Sequence, residues 1–338
     1  MDAISKHLEF EGQADDLRQF AERMVAGAAS KEEIKEMLLA LARSGVTSGD
    51  VLALAQAFQG ASLPAHTRFA VVADLCGTGG GVARTFNISS AASFVVAGCG
   101  VPVAKHGNRS NAGQSGSADV VEALGARLAL PPGRASSLLD RIGYAFFFAP
   151  SFNPAMRHAA AARKELGGKT VFNLLGPLLN PVRARRRQLI GVYDPEGLDL
   201  LPPILGDLGI ERGMVVHGSP GIDEASTMGP TEAVLVAGGS ADRFTIHPRE
   251  HGLELATIQD LGDRSPMSSA VLVRRLLHGE EVGPARDVVL LNAACGLMAY
   301  GRAQDVDQGV RMAERAVDSG RAAKRLERYV SASRVLDA

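Results

Sequence analysis

Four glycines (Gly77, Gly79, Gly80, Gly81) and the polar cluster Asn87, Ser89 and Ser90 separate two apolar runs of this chain. The first run, 69–75, has strand-type residues, and the second opens an apolar helix. Glycine lets the backbone take positive φ and come close to a ligand. A helix start offers unpaired N–H groups and the positive end of a dipole, which together seat a phosphate. A second polar cluster, Lys105 to Ser110 (KHGNRS), follows the apolar strand run 101–104. Two phosphate-type loops at consecutive strand ends point to a substrate with more than one phosphate group.

A third constellation carries charge. His217-Gly-Ser-Pro-Gly-Ile-Asp223-Glu224 follows the apolar strand run 214–216. Adjacent acids in an extended backbone face different ways, so they reach two ions, or one directly and another through water. Hard oxygen ligands of this kind suit Mg²⁺, which binds through few carboxylates plus substrate phosphates.

Several familiar patterns fail. The dinucleotide fingerprint needs a glycine where Val82 stands, and an acid where 101–106 lies. No full GxxxxGK[ST] phosphate loop occurs. His247-Pro-Arg-Glu250-His251 has the letters of a zinc motif, but Pro248 would break the helix that motif requires. Arg183, Arg185, Arg186 and Arg187, read as a loop after Pro181, suit a solvated or interface face better than a nucleic-acid site.

These loops need a scaffold. At 338 residues and 46% hydrophobic, the chain can bury a large core and is expected to form two domains. A net charge of −1 argues against a nucleic-acid or membrane-surface partner. Cys76, Cys99 and Cys295 lie in apolar runs and read as buried small hydrophobes of a reducing compartment. Cys76 abuts the glycine loop, so a reactive-thiol reading stays open. Asp2, Lys6, His7 and Glu9 leave no room for a signal peptide's apolar segment, and no apolar run reaches spanning length. The expectation is a cytoplasmic protein without a membrane partner.

Leu17, Phe20, Met24 and Val25 recur at helical spacing and stop at Gly27. Ser30 with Glu33 makes a capping box for a helix bearing Ile34, Met37, Leu38 and Leu41. Thr47 opens a third, with Val51, Leu54 and Phe58, closed by Gly60. None of the three carries a reactive cluster, so they read as a packing or dimerisation unit, with 61–66 as a hinge. Beyond it, strand-like runs near Val71, Val101, 145–148, 189–192 and 214–216 alternate with helical runs 117–124, 135–142 and 198–208. That rhythm predicts an α/β fold with a mainly parallel sheet covered by helices. Ligands then bind at the carboxyl ends of the strands, where both loops fall. Further helices are expected near 269–278, 287–300 and 309–330.

Taken in order, GTGG with TFNIS, KHGNRS, SGSADVVEALG, NPAMRHAAAARKELG with FNLLGPLLNP, and VVHGSPGIDE with TMGPT resemble anthranilate phosphoribosyltransferase of tryptophan biosynthesis. The resemblance runs through nearly all of the chain beyond residue 65. It implies a small helical domain (1–65, joined by parts of about 157–181) and a large α/β domain (66–338), as in nucleoside phosphorylases, with a homodimer through the small domain. The implied reaction displaces pyrophosphate from 5-phosphoribosyl 1-pyrophosphate (PRPP) with the amine of anthranilate, in the presence of two Mg²⁺ ions.

Carried over by residue, the resemblance gives PRPP to Gly77, Gly80, Gly81, Thr85, Asn87, Ile88, Ser89 and Ser90. It adds Lys105, His106, Gly107, Asn108, Arg109, Gly113 and Ser117, with Lys105 acting by charge. Metal falls to Ser89, Asp223 and Glu224. Anthranilate falls to Gly77, His106, Asn108, Arg163 and Pro177, with Arg163 facing its carboxylate. The chain departs from the family at four places. Gly81 and Val82 replace the DG of GTGGDG, and Asn153 replaces a histidine. Ala112-Gly113-Gln114 replaces SSK, and Ser90 replaces a threonine. Two other readings stay open: a related transferase or phosphorylase with another aromatic acceptor or nucleoside, and a non-catalytic relative that binds nucleic acid.

Overall fold

The computed structural model describes residues 14–81, 85–109, 115–262 and 265–335. It opens with helices α1 (Ala14–Val25), α2 (Lys31–Ser44) and α3 (Ser48–Gly60). Both later starts are sealed by reciprocal caps. Ser30 Oγ accepts the Glu33 N–H at 3.2 Å while Glu33 accepts the Ser30 N–H at 2.7 Å. Thr47 and Asp50 do the same at 3.2 and 2.9 Å.

Strand β1 (Val71–Gly77), helix α4 (Ile88–Gly98), strand β2 (Val103–Gly107), helices α5 (Ser117–Ala123) and α6 (Pro132–Ile142) and strand β3 (Tyr144–Phe148) follow. A short turn α7 (Ala149–Phe152) leads to α8 (Arg157–Leu166) and α9 (Phe172–Leu178), which return to the helical unit. The chain then forms β4 (Arg185–Gly191), a single turn α10 (Gly197–Leu200), and strands β5 (Ile210–Gly218), β6 (Thr231–Ala237) and β7 (Ser240–Ile246). It closes with α11 (Ile258–Leu261), α12 (Pro266–Leu277), α13 (Pro284–Tyr300), α14 (Val306–Asp318) and α15 (Arg321–Arg334). Among the described residues no helix is long and apolar enough to cross a membrane.

The sheet runs β3-β2-β1-β4-β5-β6-β7, with the first five strands parallel and the last two antiparallel. Its faces are read from alternation along the strands. Leu189, Met214, Val216 and Ala233 join one apolar cluster with α4, α13 and α15. Their neighbours Ile190, Val215 and Val234 join a second, with Phe58 of α3, Ala159 and Ala162 of α8, and Phe172 and Leu175 of α9. The helical unit therefore packs on one face of the sheet's centre. The segment 61–66 is laced to the return crossing: Ala65 N–H donates to Pro181 O at 3.0 Å and Arg183 N–H to Ala65 O at 2.8 Å.

The structure departs from the sequence reading at four points. The helix expected over 198–208 is one turn followed by two 3-10 turns, because Pro202 and Pro203 remove backbone donors. The helix expected over 309–330 is two, split at Gly320 with φ 70°. Strands β6 and β7, which the sequence reading passed over, are joined by Gly238-Gly239 with both φ positive, a two-residue hairpin turn. The arginine run is no loop. Arg185, Arg186 and Arg187 lie in β4, and Arg186 is 4% exposed, donating to Leu178 O and Leu208 O.

Candidate active site

The carboxyl ends of β1, β4 and β5 carry glycines, and these shape the site. Gly77 and Gly191 are register partners on β1 and β4. A Cβ on Gly77 would stand 2.1 Å from Asp223 Oδ2, and one on Gly191 would stand 1.7 Å from Asp223 O. The turn after β5 folds back through paired Gly218–Ile222 backbone bonds of 2.8 and 3.1 Å, which sets Asp223 and Glu224 on those bare strand ends. From below, the buried Asn292 of α13 accepts the Ala225 N–H at 2.9 Å and donates to Ala225 O at 2.7 Å.

The two acids face different ways, as adjacent residues in extended chain do. Asp223 Oδ2 accepts the Gly79 N–H of the glycine loop at 2.8 Å. Glu224 Oε1 accepts the Ser89 N–H at the start of α4 at 3.3 Å. Burial raises the Asp223 carboxyl above its ordinary range. Burial, then the neighbouring charge of Asp223, pushes Glu224 up to about 8. Two half-buried carboxylates so placed are short of positive charge. Among the described residues no three acids, histidines or cysteines group to hold a metal by themselves. Two carboxylates plus the Ser89 hydroxyl, with phosphates completing the shell, is a donor set of hard oxygens that fits Mg²⁺.

Around this pair the expected phosphate residues divide. Gly77 and Gly80 line the loop. Of the first residues of α4, Ile88 and Ser90 are fully buried, the Ile88 N–H goes to Phe86 O at 2.7 Å, and only Ser89 keeps its side chain partly open. Asn87 is tied up with Ser115, donating to Ser115 O and accepting from Ser115 Oγ, each at 2.9 Å. Thr85 pairs with Gly262 in an isolated bridge. Lys105 is 1% exposed; its ammonium donates to Leu75 O at 2.5 Å and Ser89 Oγ at 3.3 Å. Its charge therefore works from beneath Ser89 and Glu224. Arg109 turns its guanidinium to Asp119 and Glu122 of α5, at 2.7 and 2.9 Å, away from the loop. Ser117 Oγ donates to Asn108 O at 3.3 Å and fills the space beside Gly107, where a Cβ would lie 2.3 Å from it. Half-buried Gly81 borders 82–84, and Val82, Ala112, Gly113 and Gln114 lie outside the described residues.

The residues that the resemblance gives to the acceptor rest on a buried carboxylate that sequence reasoning missed. Asp74 of β1 is wholly enclosed and accepts from the His106 N–H at 3.1 Å, Asn180 Nδ2 at 2.8 Å and Gln188 Nε2 at 3.5 Å. Gln188 also donates to Pro177 O at 2.7 Å. Asp74 thus ties the end of β2 to the Gly176-Pro177 turn of α9. Desolvation raises its pKa, opposed by the charges of Lys105 and Arg186. The readable signal was a lone acid within an apolar strand. Desolvation also lowers His106 to about 4, so its imidazole is neutral, and Nε2 lies 3.3 Å from Asn153 Nδ2. Asn153 Oδ1 is buried with no partner among the described residues. Cys76 is no reactive thiol, since burial raises it well above its ordinary value.

Arg163 of α8 stacks its guanidinium 5.2 Å from the Phe172 ring centroid, at the start of α9. Burial lowers its pKa and no described carboxylate pairs with it. A half-buried cation without an acid is a ready partner for a ligand carboxylate. The zinc-like segment 247–251 is a 3-10 turn whose His251 bonds Asp307 at 2.7 Å, remote in chain and purpose from these groups.

The family model described as "Glycosyl transferase family, a/b domain" matches residues 70–323. Anthranilate phosphoribosyltransferase of Moorella thermoacetica is 44% identical over 308 residues, covering 91% of this chain and 90% of its own. The chain belongs to the anthranilate phosphoribosyltransferase family. The enzyme of that name from Desulfitobacterium hafniense strain Y51 is 42% identical, covering 96% of this chain and 98% of its own. Among solved structures, that from Thermus thermophilus superposes with a TM-score of 0.90 at 40% identity, covering 96% of each chain. The Saccharomyces cerevisiae enzyme in complex with PRPP and Mg gives 0.87 at 25% identity, covering 95% of this chain and 93% of that one.

Proposed function

We propose that the protein transfers the phosphoribosyl group of PRPP to anthranilate, releasing pyrophosphate, as a step of tryptophan biosynthesis. The observation that carries this reading is the seating of Asp223 on the Gly79 amide and Glu224 on the Ser89 amide, which joins an acid pair to two phosphate-type backbone sites. Amides of the glycine loop and the α4 start other than those of Gly79, Ile88 and Ser89, which are already taken, would hold the PRPP phosphates, with two Mg²⁺ ions on Asp223, Glu224 and Ser89. Bound Mg²⁺ would neutralise the pyrophosphate as it departs.

The rest falls to the chain's own groups. Arg163 would take the anthranilate carboxylate, with Asn108, neutral His106 and the Pro177 turn as walls. An aromatic amine is neutral at pH 7 and needs positioning more than a strong base. Its nitrogen bonds to the ribosyl carbon, the bond from that carbon to the pyrophosphate oxygen breaks, and the nitrogen then loses a proton. Residues 1–65, of which 1–13 lie outside the described residues, would form the smaller domain with parts of 157–181 and the contact of a homodimer. A cytoplasmic location belongs to the same reading.

The test is loss of anthranilate fluorescence on addition of PRPP and Mg²⁺, run beside substituted aminobenzoates and nucleobases. Anthranilate should be the preferred acceptor. Turnover of a nucleobase or another aminobenzoate in its place would overturn the acceptor assignment, and salt-dependent DNA binding without turnover would overturn the enzyme reading altogether.

A further inference from the structure

We propose that Lys169 is a further donor-binding residue, a cation carried by the helical unit over the glycine loop that moves from the Tyr193 ring onto the pyrophosphate of the donor. The inference rests on the function proposed above in taking a pyrophosphate ester as the loop's ligand.

Lys169 lies in the short link between α8 and α9. Gly167 caps α8 in the left-handed conformation with φ 68°, so the chain leaves the helix sharply. The Thr170 N–H donates to Asn173 Oδ1 at 3.1 Å and fixes the start of α9. Between these two anchors the Lys169 side chain lies across the site. Its Nζ sits 3.4 Å from the Tyr193 ring centroid, and its Cε would be 3.1 Å from a Cβ placed on Gly80. Tyr193 is itself fixed to the loop, its N–H donating to Thr78 Oγ1 at 3.2 Å. The ammonium side chain is thus held over the glycine run by the link between α8 and α9 of the helical unit.

Three features separate this lysine from an ordinary surface cation. It is exposed yet ordered against a ring, which costs side-chain entropy that a freely solvated lysine keeps. No described carboxylate pairs with it, although its charge acts on Asp223. Gly80, at φ 86°, carries no side chain that would displace it. A cation over an exposed ring is held weakly, whereas an ammonium–phosphate bond is charge-assisted on both sides. A pyrophosphate arriving at Gly79 and Gly80 therefore draws the ammonium off the ring. Negative charge grows on the pyrophosphate as its bond to the ribosyl carbon breaks, so the same contact strengthens during reaction.

The experiment compares wild type with Lys169→Met and Lys169→Arg in the full chain. Calorimetric titration with pyrophosphate and Mg²⁺ is combined with steady-state kinetics in PRPP and anthranilate. Lys169→Met should keep the thermal midpoint, weaken pyrophosphate and raise the PRPP KM about tenfold, the worth of one charge-assisted bond. The anthranilate KM at saturating PRPP should stay unchanged, and Lys169→Arg should recover most of the lost affinity. Unaltered pyrophosphate affinity in Lys169→Met overturns the proposal, as does a loss confined to anthranilate. If wild type fails to use anthranilate at all, the acceptor reading falls, while the pyrophosphate titration still decides the role of Lys169.

Discussion

Asp223 accepts the backbone N–H of Gly79 at 2.8 Å, across 144 residues of chain. One bond thereby couples the metal-type acid to the phosphate-type loop, so a change at either should be felt at the other.

Glu224→Gln keeps the shape of the side chain while removing its charge. The Mg²⁺ concentration needed for half-maximal rate should rise, by about 10- to 100-fold if Glu224 acts as other residues that set metal affinity do. Excess chelator should abolish turnover of wild type. Full activity in chelator would remove metal from the reaction.

Gly191→Ala tests the bare strand ends. A methyl group there would collide with the Asp223 backbone, which must shift against the hold of Asn292 on Ala225. The variant should fold, lose most of its Mg²⁺ response, and resemble Asp223→Asn in a metal titration of rate. A wild-type titration curve would show that Asp223 need not sit on β4.

Arg163→Ala removes the guanidinium over Phe172 that no described carboxylate pairs. The KM for anthranilate should rise roughly 10- to 150-fold, the equivalent of about 1.5–3 kcal/mol for a hydrogen bond to a charged group. PRPP binding should change little. An unchanged anthranilate KM with weakened PRPP would reassign the residue to the donor.

His106 predicts a pH dependence of stability. Its pKa falls from 6.5 to about 4 on folding because the neutral ring is buried. Below 6.5 the unfolded chain takes up a proton that the folded chain refuses. Stability from this group is full above pH 6.5 and is lost as pH falls toward 4, by about 3 kcal/mol in all. Urea unfolding between pH 4.5 and 7.5 should show that slope in wild type and a shallower one in His106→Gln. Parallel slopes would mean that other groups carry it.

Much of the scaffold was legible because parallel, buried strands are near-continuous apolar runs and their helices announce themselves by caps. Ser30 with Glu33 and Thr47 with Asp50 are local signals, readable within four residues. Asp74, Asn180 and Gln188 were not readable as a unit, since they meet only through tertiary packing across 106 and 114 residues. The same limit hid the burial of Lys105 and Arg186. A charged letter in sequence reads as exposed until the strand order surrounds it with neighbours. Asp223 and Glu224 stood out because two acids lie side by side after a strand and a Gly/Pro turn, and the structure seats them on the Gly79 and Ser89 amides.

The paired glycines Gly77 and Gly191 have a thermodynamic consequence. Because the acid turn rests on strand backbone instead of hanging from a free loop, its two carboxylates are fixed when the sheet forms. Their mutual repulsion and lost freedom are borne by the fold, so an ion held there, as proposed, would have little further ordering of the protein to meet. Neutralising that repulsion would stabilise the fold. Ligand binding should tighten the molecule as a whole as well as fill its cleft.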